Sequence, residues 1–168
     1  GIDSALTASI AADVLGPKNI KSYFLPSMYT SNESRIDAQT LCKNLNISLD
    51  EISIEASRKL ILGELSFLFK NFKEDITEEN IQSRIRGLLL MALSNKFNSL
   101  LLTTGNKSEL LVGYSTLYGD MCGGFSLLKD LYKTEVNELS EWRNRNISKR
   151  VKINKKDIIP LNILLKEP

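Results

Sequence analysis

Apolar residues recur along this chain in two rhythms that take turns. From Asp3 to Leu15, Leu6, Ile10 and Val14 return every fourth residue and Gly16-Pro17 closes the run, which predicts a helix. The short apolar stretch IKSYFLP, Ile20 to Pro26, ends in a proline and predicts a buried strand. Ser31 to Asn44 predicts the next helix, with Ala38, Leu41, Cys42 and Leu45 on one face. Ile47 to Ile54 predicts a second strand. Glu55 to Lys70 predicts a helix bent near Gly63. A long helix follows from Glu78 to Phe97, with the stripe Ile81, Ile85, Leu88 and Ala92. SLLLTT, Ser99 to Thr104, predicts a third strand, and a short helix starts at Ser108. Leu131 to Arg145 predicts the last helix, and the stretch from there to Pro168 carries no clear rhythm.

Strands separated by helices imply right-handed crossovers. The expected fold class is α/β: a doubly wound parallel sheet with helices on both faces, in one domain over residues 1–168. Ligands in such folds bind beyond the carboxyl ends of the strands. The segments expected there are Pro26 to Glu33, Gly105 to Ser108 and, if a strand precedes it, Gly1 to Ser4.

Composition narrows the chemistry. Of 168 residues, 42% are apolar and 25% charged, a profile expected of a water-soluble globular domain. A net charge of +2 gives no reason to expect nucleic acid or a membrane surface. No apolar run approaches the roughly 18–20 residues of a membrane span. There is no histidine, so the commonest general base and metal ligand is missing. Any catalysis falls to carboxylates, lysines, hydroxyls and backbone amides. Cys42 and Cys122 do not read as a disulfide framework, and a reducing cytoplasm suits both. Cys42 is expected to pack as a small apolar residue.

Several stretches can carry chemistry, and each also has a plainer reading. GIDSA, Gly1 to Ala5, is a glycine entering a helix, which either cradles an anion on free N–H groups or is an ordinary cap. Asp3 repels a phosphate unless a divalent cation bridges them, so it is a candidate Mg²⁺ ligand. Asn80 and Arg84 lie four apart on one face of the long helix, offering an amide and a guanidinium to a ligand or to water, while Ile81, Ile85 and Leu88 face inward. In TTGNKSEL, Ser108 is expected to cap a helix carrying Glu109. Gly113, Gly119, Gly123 and Gly124 sit among Tyr114, Tyr118 and Asp120, in a loop that either admits a bulky ligand closely or is a mobile surface loop. Lys129 and Lys133 flank the start of the last helix, as surface charges or as phosphate contacts.

Taken in order, these blocks resemble one family. GIDSA looks like the end of the Ser-Gly-Gly-x-Asp-Ser phosphate loop of N-type ATP pyrophosphatases. LPSMYTSNESRIDA, ENIQSRIRG and TTGNKSELLVGYSTLYGDMCGGFSLLKDLYKTEV are similar to segments of NAD synthetases, so that the resemblance covers Gly1 to about Arg145. It implies the adenine-nucleotide α-hydrolase-like form of the sheet, and a ligase that adenylates deamido-NAD with ATP and Mg²⁺ before ammonia displaces AMP. It further implies that Gly1, Ile2, Asp3 and Ser4 hold ATP phosphates, with Asp3 on Mg²⁺ and Glu109 as a possible second metal ligand. Thr104 and Lys133 would meet ATP, with Asp3 and Lys133 as the catalytic residues. Asn80, Arg84, Glu109 and Tyr114 would contact deamido-NAD. The ammonia-using members commonly have Lys at the position of Leu117 and Asp at that of Gly124, so those contacts do not carry over. YSTLYGDMCGGF instead looks like the glutamine-dependent members, which implies a homo-oligomeric, cytoplasmic parent with an amidase domain upstream. On this reading the chain is truncated at both ends, before the phosphate loop is complete and at LLKEP. The alternatives are another N-type ATP pyrophosphatase amidotransferase, and a nucleotide-binding fragment that is catalytically incomplete.

Overall fold

In the computed structural model, described for residues 1–147 and 152–166, Gly1 is the N-cap of the first helix, α1 (Ile2–Leu15). Gly16, at φ 87°, ends it in a conformation that suits a residue without Cβ. β1 (Lys21–Phe24) follows a single 3₁₀ turn. α2 (Asn32–Leu45) is capped by Ser31, whose hydroxyl accepts from the Ser34 N–H at 3.2 Å, and it stops at Asn46 in the left-handed region. β2 (Ser48–Glu51), α3 (Glu55–Phe69) and α4 (Ile76–Lys96) come next. Asp75 and Glu78 form a reciprocal capping box at the start of α4. The chain continues through β3 (Leu102–Thr103), α5 (Lys107–Leu111), β4 (Phe125–Ser126), α6 (Lys133–Arg145) and α7 (Leu161–Leu165).

The strands pair in parallel, as their helical connections require. Lys21 to Phe24 lie opposite Ser48 to Glu51, and Leu102 and Thr103 lie opposite Phe125 and Ser126. Among the described residues these are two separate pairs. Between β1 and the approach to β3 lies a cavity of about 1020 Å³, lined by Lys21–Phe24, Leu100–Leu102 and Thr7, Ala8 and Ala11 of α1. The Thr7 hydroxyl is buried and has no hydrogen-bond partner among the described residues. One core joins Leu6, Leu41, Cys42, Leu45, Leu128 and Val136, and a smaller one joins Leu25, Ile54 and Ile85.

Several expectations need correction. The third strand is shorter than Ser99 to Thr104, because Ser99 is drawn back onto α4: its N–H donates to the Ser94 carbonyl at 2.9 Å. β4 adds a strand that no apolar rhythm in the sequence marks. Val14 is 64% exposed, since the face of α1 turned toward α6 carries Asp13 instead. Leu88 and Ala92 are exposed, and Gly87 takes the inward position because a loop backbone presses against it. α3 runs through Gly63 without interruption, and α6 starts at Lys133, two residues later than expected. Asn106, not Ser108, caps α5.

The C-terminal stretch without rhythm is nevertheless core. Ile153, Ile158, Ile159 and Ile163 are buried. Their backbone is satisfied by side-chain amides: Asn144 exchanges two bonds with Ile159, at 2.8 and 2.9 Å, and Asn44 donates to the Ile158 carbonyl at 3.0 Å. Glu167 and Pro168, which complete LLKEP, lie outside the described residues.

Candidate active site

The site grows from the start of α1. Asp3 lies in its first turn, where a carboxylate is favoured by the helix dipole. Ser4 folds back to donate its hydroxyl to the Gly1 carbonyl at 2.9 Å. Asp3 uses both oxygens: Oδ2 pairs with Lys133 Nζ at 2.5 Å, and Oδ1 accepts from Asn106 Nδ2 at 2.8 Å. Lys133 opens α6, so two helix starts meet at this pair. The corner before α5 ties them further. The Lys133 N–H donates to Ser108 Oγ at 3.1 Å, and the Lys107 N–H to the Leu131 carbonyl at 2.8 Å.

A second cavity, of about 630 Å³, opens on the other side of Gly1, Asp3 and Ser4. Thr104, Glu109 and Tyr114 also line it, as do Asp120 and Lys129. Thr104, Ile2 and Lys133 reach the larger cavity, together with Lys166 from the C-terminal segment. The opening turn is thus a wall shared by both cavities. Eight of the ten expected site residues converge here.

Asn80 and Arg84 do not; they line neither cavity. They hold the glycine-rich loop instead. The Thr116 hydroxyl donates to Asn80 Oδ1 at 2.8 Å, and Arg84 Nε donates to the Leu117 carbonyl at 3.3 Å. Ser83 adds a third tie, accepting from the Asp120 N–H at 3.0 Å. Gly87 and Gly119 permit the contact. A Cβ on Gly87 would stand 2.7 Å from the Tyr118 carbonyl oxygen, and one on Gly119 would collide with Ser83 Oγ.

At the end of β1, Arg58 and Glu55 brace the turn at Ser27–Thr30. Arg58 pairs with Glu55 at 2.9 Å and lies over the Tyr29 ring, and Glu55 Oε2 accepts from the Met28 N–H at 3.4 Å. The Arg58 guanidinium holds the Glu55 carboxyl below its usual range. Arg86 donates from Nε to the Leu25 carbonyl at 3.0 Å, and burial draws its pKa down.

As to a metal, Asp3 and Glu109 are hard oxygen donors that both touch Asn106. No larger cluster of acidic or thiol side chains forms among the described residues. Two carboxylates suit Mg²⁺ when ligand phosphates complete its shell. Sequence reasoning missed Asn106, Ser108 as the acceptor for Lys133, and Lys166. The first two stand inside TTGNKSEL, where an Asn at a helix start was the available signal.

The whole chain, residues 1–168, matches the family model described as NAD synthase. The chain belongs to this family. Among NAD synthases, it is 52% identical over all 168 residues to the glutamine-dependent NAD(+) synthetase of Rhodobacter capsulatus, and spans 30% of that protein. A solved glutamine-dependent NAD⁺ synthetase from Acinetobacter baumannii, in complex with ADP, superposes with a TM-score of 0.92 at 44% identity, over 99% of this chain and 30% of that one. The NMN synthetase of Francisella tularensis superposes at 0.82 with 30% identity, over all of this chain and 62% of that one. These likenesses place the two parallel strand pairs in the NAD synthase α/β fold. The chain thus covers about a third or less of the glutamine-dependent relatives it matches.

Proposed function

We propose that this chain is the ATP-using part of a larger enzyme that amidates the nicotinate carboxylate of deamido-NAD to give NAD. A carboxylate at neutral pH is a poor electrophile, so it needs activation. Its oxygen attacks the α-phosphorus of ATP, and the bond to the bridging oxygen breaks, releasing pyrophosphate. Ammonia then attacks the acyl carbon and loses a proton, and the C–O bond to AMP breaks. The observation that carries this reading is the shared wall: Gly1, Asp3 and Ser4 border both cavities, so two substrates can meet across one turn.

The opening turn, with Ile2 behind it, would cradle the ATP phosphates, and Thr104 would adjoin the nucleotide. Lys133 would move from Asp3 onto the phosphates as charge departs with them. Asp3 and Glu109 would hold Mg²⁺, which neutralises phosphate charge when bound. Glu109 and Tyr114 would face deamido-NAD, and Asn80 and Arg84 would act on it through the loop they hold. An amidase domain upstream would supply ammonia from glutamine, in a cytoplasmic homo-oligomer. The absence of Lys at 117 and Asp at 124 supports glutamine as the nitrogen source. Both cysteines are free thiols, which suits a reducing compartment. No described helix is long and apolar enough to cross a membrane.

The test is product analysis with the full-length protein, deamido-NAD, ATP and either glutamine or ammonium. NAD, AMP and pyrophosphate in equal amounts are expected. ADP and phosphate would sink the proposal, and activity with ammonium but never with glutamine would remove the amidase.

A further inference from the structure

Asn106 is completely buried, and both ends of its amide are engaged. Nδ2 donates to Asp3 Oδ1 at 2.8 Å, and Oδ1 accepts from the Glu109 N–H at 3.0 Å. Its backbone N–H donates to Glu109 Oε2 at 3.1 Å. One residue therefore touches two of the carboxylates that border the smaller cavity, Asp3 and Glu109. The bond between Oδ1 and Glu109 is a helix cap, and Ser, Asp and Asn serve about equally well there. The bond from Nδ2 is not part of any cap. Capping needs an acceptor, whereas Asp3 receives a donor.

That donor has a consequence for Asp3. A carboxylate can turn either oxygen toward a neighbouring cation. With Oδ1 fixed by Asn106, Oδ2 is the oxygen left for Lys133. The following residues hold the other partner, since Ser108 Oγ accepts from the Lys133 backbone N–H. The corner from Asn106 to Ser108 is thus a common post for both members of the pair.

We propose that Asn106 is a positioning residue for the Asp3–Lys133 pair, acting through Asp3 by fixing which carboxylate oxygen faces the site. The proposal rests on the functional reading only for what the pair acts upon. Asn106→Asp and Asn106→Ser both keep a capping acceptor and remove the amide donor, and Asp also sets a like charge against Asp3. In the full-length protein Asn106→Ser should melt close to wild type, and Asn106→Asp should melt lower but still cooperatively, because it buries a second carboxylate beside Asp3. Calorimetric titration with Mg²⁺ and ATP should show affinity about 10- to 100-fold weaker for Asn106→Asp, and about 10-fold weaker for Asn106→Ser. Turnover should fall with affinity, in the same rank order. If either well-folded variant binds ATP and turns over like wild type, Asn106 is only a cap and the proposal fails. If both variants fail to fold, the residue is structural and the proposal fails equally. A wild-type protein that binds ATP but makes no NAD would overturn the functional reading, while the binding comparison would still judge Asn106.

Discussion

Asp13 and Arg143 form a closed ion pair at the far ends of the two helices that hold Asp3 against Lys133. Arg143 Nε meets Asp13 Oδ2 at 2.5 Å, and Nη2 meets Oδ1 at 2.9 Å. The side chains are 5% and 7% exposed, and the other guanidinium donors go to the carbonyls of Asn146, Ile153 and Lys155. The pair lies ten positions along each helix from Asp3 and Lys133, so α1 and α6 run parallel and in register. The near pair is more open, at 15% and 29% exposure, and it borders the cavities.

Removing the guanidinium from the far pair strands a buried carboxylate. Arg143→Ala should cost about 3–5 kcal/mol, read from urea unfolding. Replacing both partners with apolar residues of similar size should recover most of that loss. A cost under about 1 kcal/mol for Arg143→Ala would mean that Asp13 is not desolvated.

At the near pair, the expected loss is activity rather than stability. Lys133→Ala should lower kcat/KM for ATP by about 100-fold or more, while unfolding shifts by no more than about 1 kcal/mol because the pair is partly open. Asp3→Asn should sharply reduce turnover at every Mg²⁺ concentration. Near-normal activity in Asp3→Asn across a Mg²⁺ titration would leave Asp3 as an ordinary first-turn acid.

Gly87→Ala tests the loop seat. The added methyl would meet the carbonyl oxygens of Tyr118 and Gly119 at 2.7 and 2.8 Å, so the loop must lift from α4. Overpacking of this kind costs about 1–3 kcal/mol. Protease cleavage between Tyr114 and Gly124 should speed up, and KM for deamido-NAD should rise more than KM for ATP. Unchanged cleavage would show that the loop tolerates the methyl in place.

The thiols should separate kinetically. Burial raises the Cys42 pKa and shields the sulfur, whereas Cys122 is half-buried. An aromatic disulfide reagent should modify Cys122 first and reach Cys42 only as the protein unfolds. Equal rates would contradict the packing around Cys42.

Acid should weaken the brace between Glu55 and Arg58. Because the folded carboxyl sits below its usual value, its stabilisation is present above the unfolded value of about 4.3 and is lost as pH falls through the folded one. Melting temperatures of wild type and Glu55→Gln should therefore converge as the pH falls below the unfolded value. Parallel curves below that value would remove Glu55 from the acid response.

Much of this architecture is legible in the sequence where local chemistry decides it. β1 and β2 fall inside the two stretches that predict strands, Ile20 to Pro26 and Ile47 to Ile54, and α2 keeps its stripe of Leu41, Cys42 and Leu45. β4 was illegible because a two-residue strand within a glycine-rich loop has no period of its own. Val14 and Asp13 exchanged places because a partner 130 residues away decides which side of α1 is inside. In the site, Asp3, Lys133 and Glu109 carry recognisable motifs. Asn106 lies just ahead of the cap expected at Ser108, and its meaning depends on Asp3, 103 positions earlier. Asn80 and Arg84 were correctly seen on one face, yet what that face meets is a folded loop.

The two helices that share a register also form a lever. Ten residues of helix rise span about 15 Å, so Asp3 and Lys133 ride at the other end of an arm whose pivot is the Asp13–Arg143 clasp. A tilt of about 5° at such a pivot carries the tip a little over 1 Å, by the same geometry. Displacements of about 1 Å are enough to spoil alignment of reacting groups. Groups packed around the pivot, including the Ile153 backbone carbonyl that Arg143 grips, therefore govern the aim of residues they never touch.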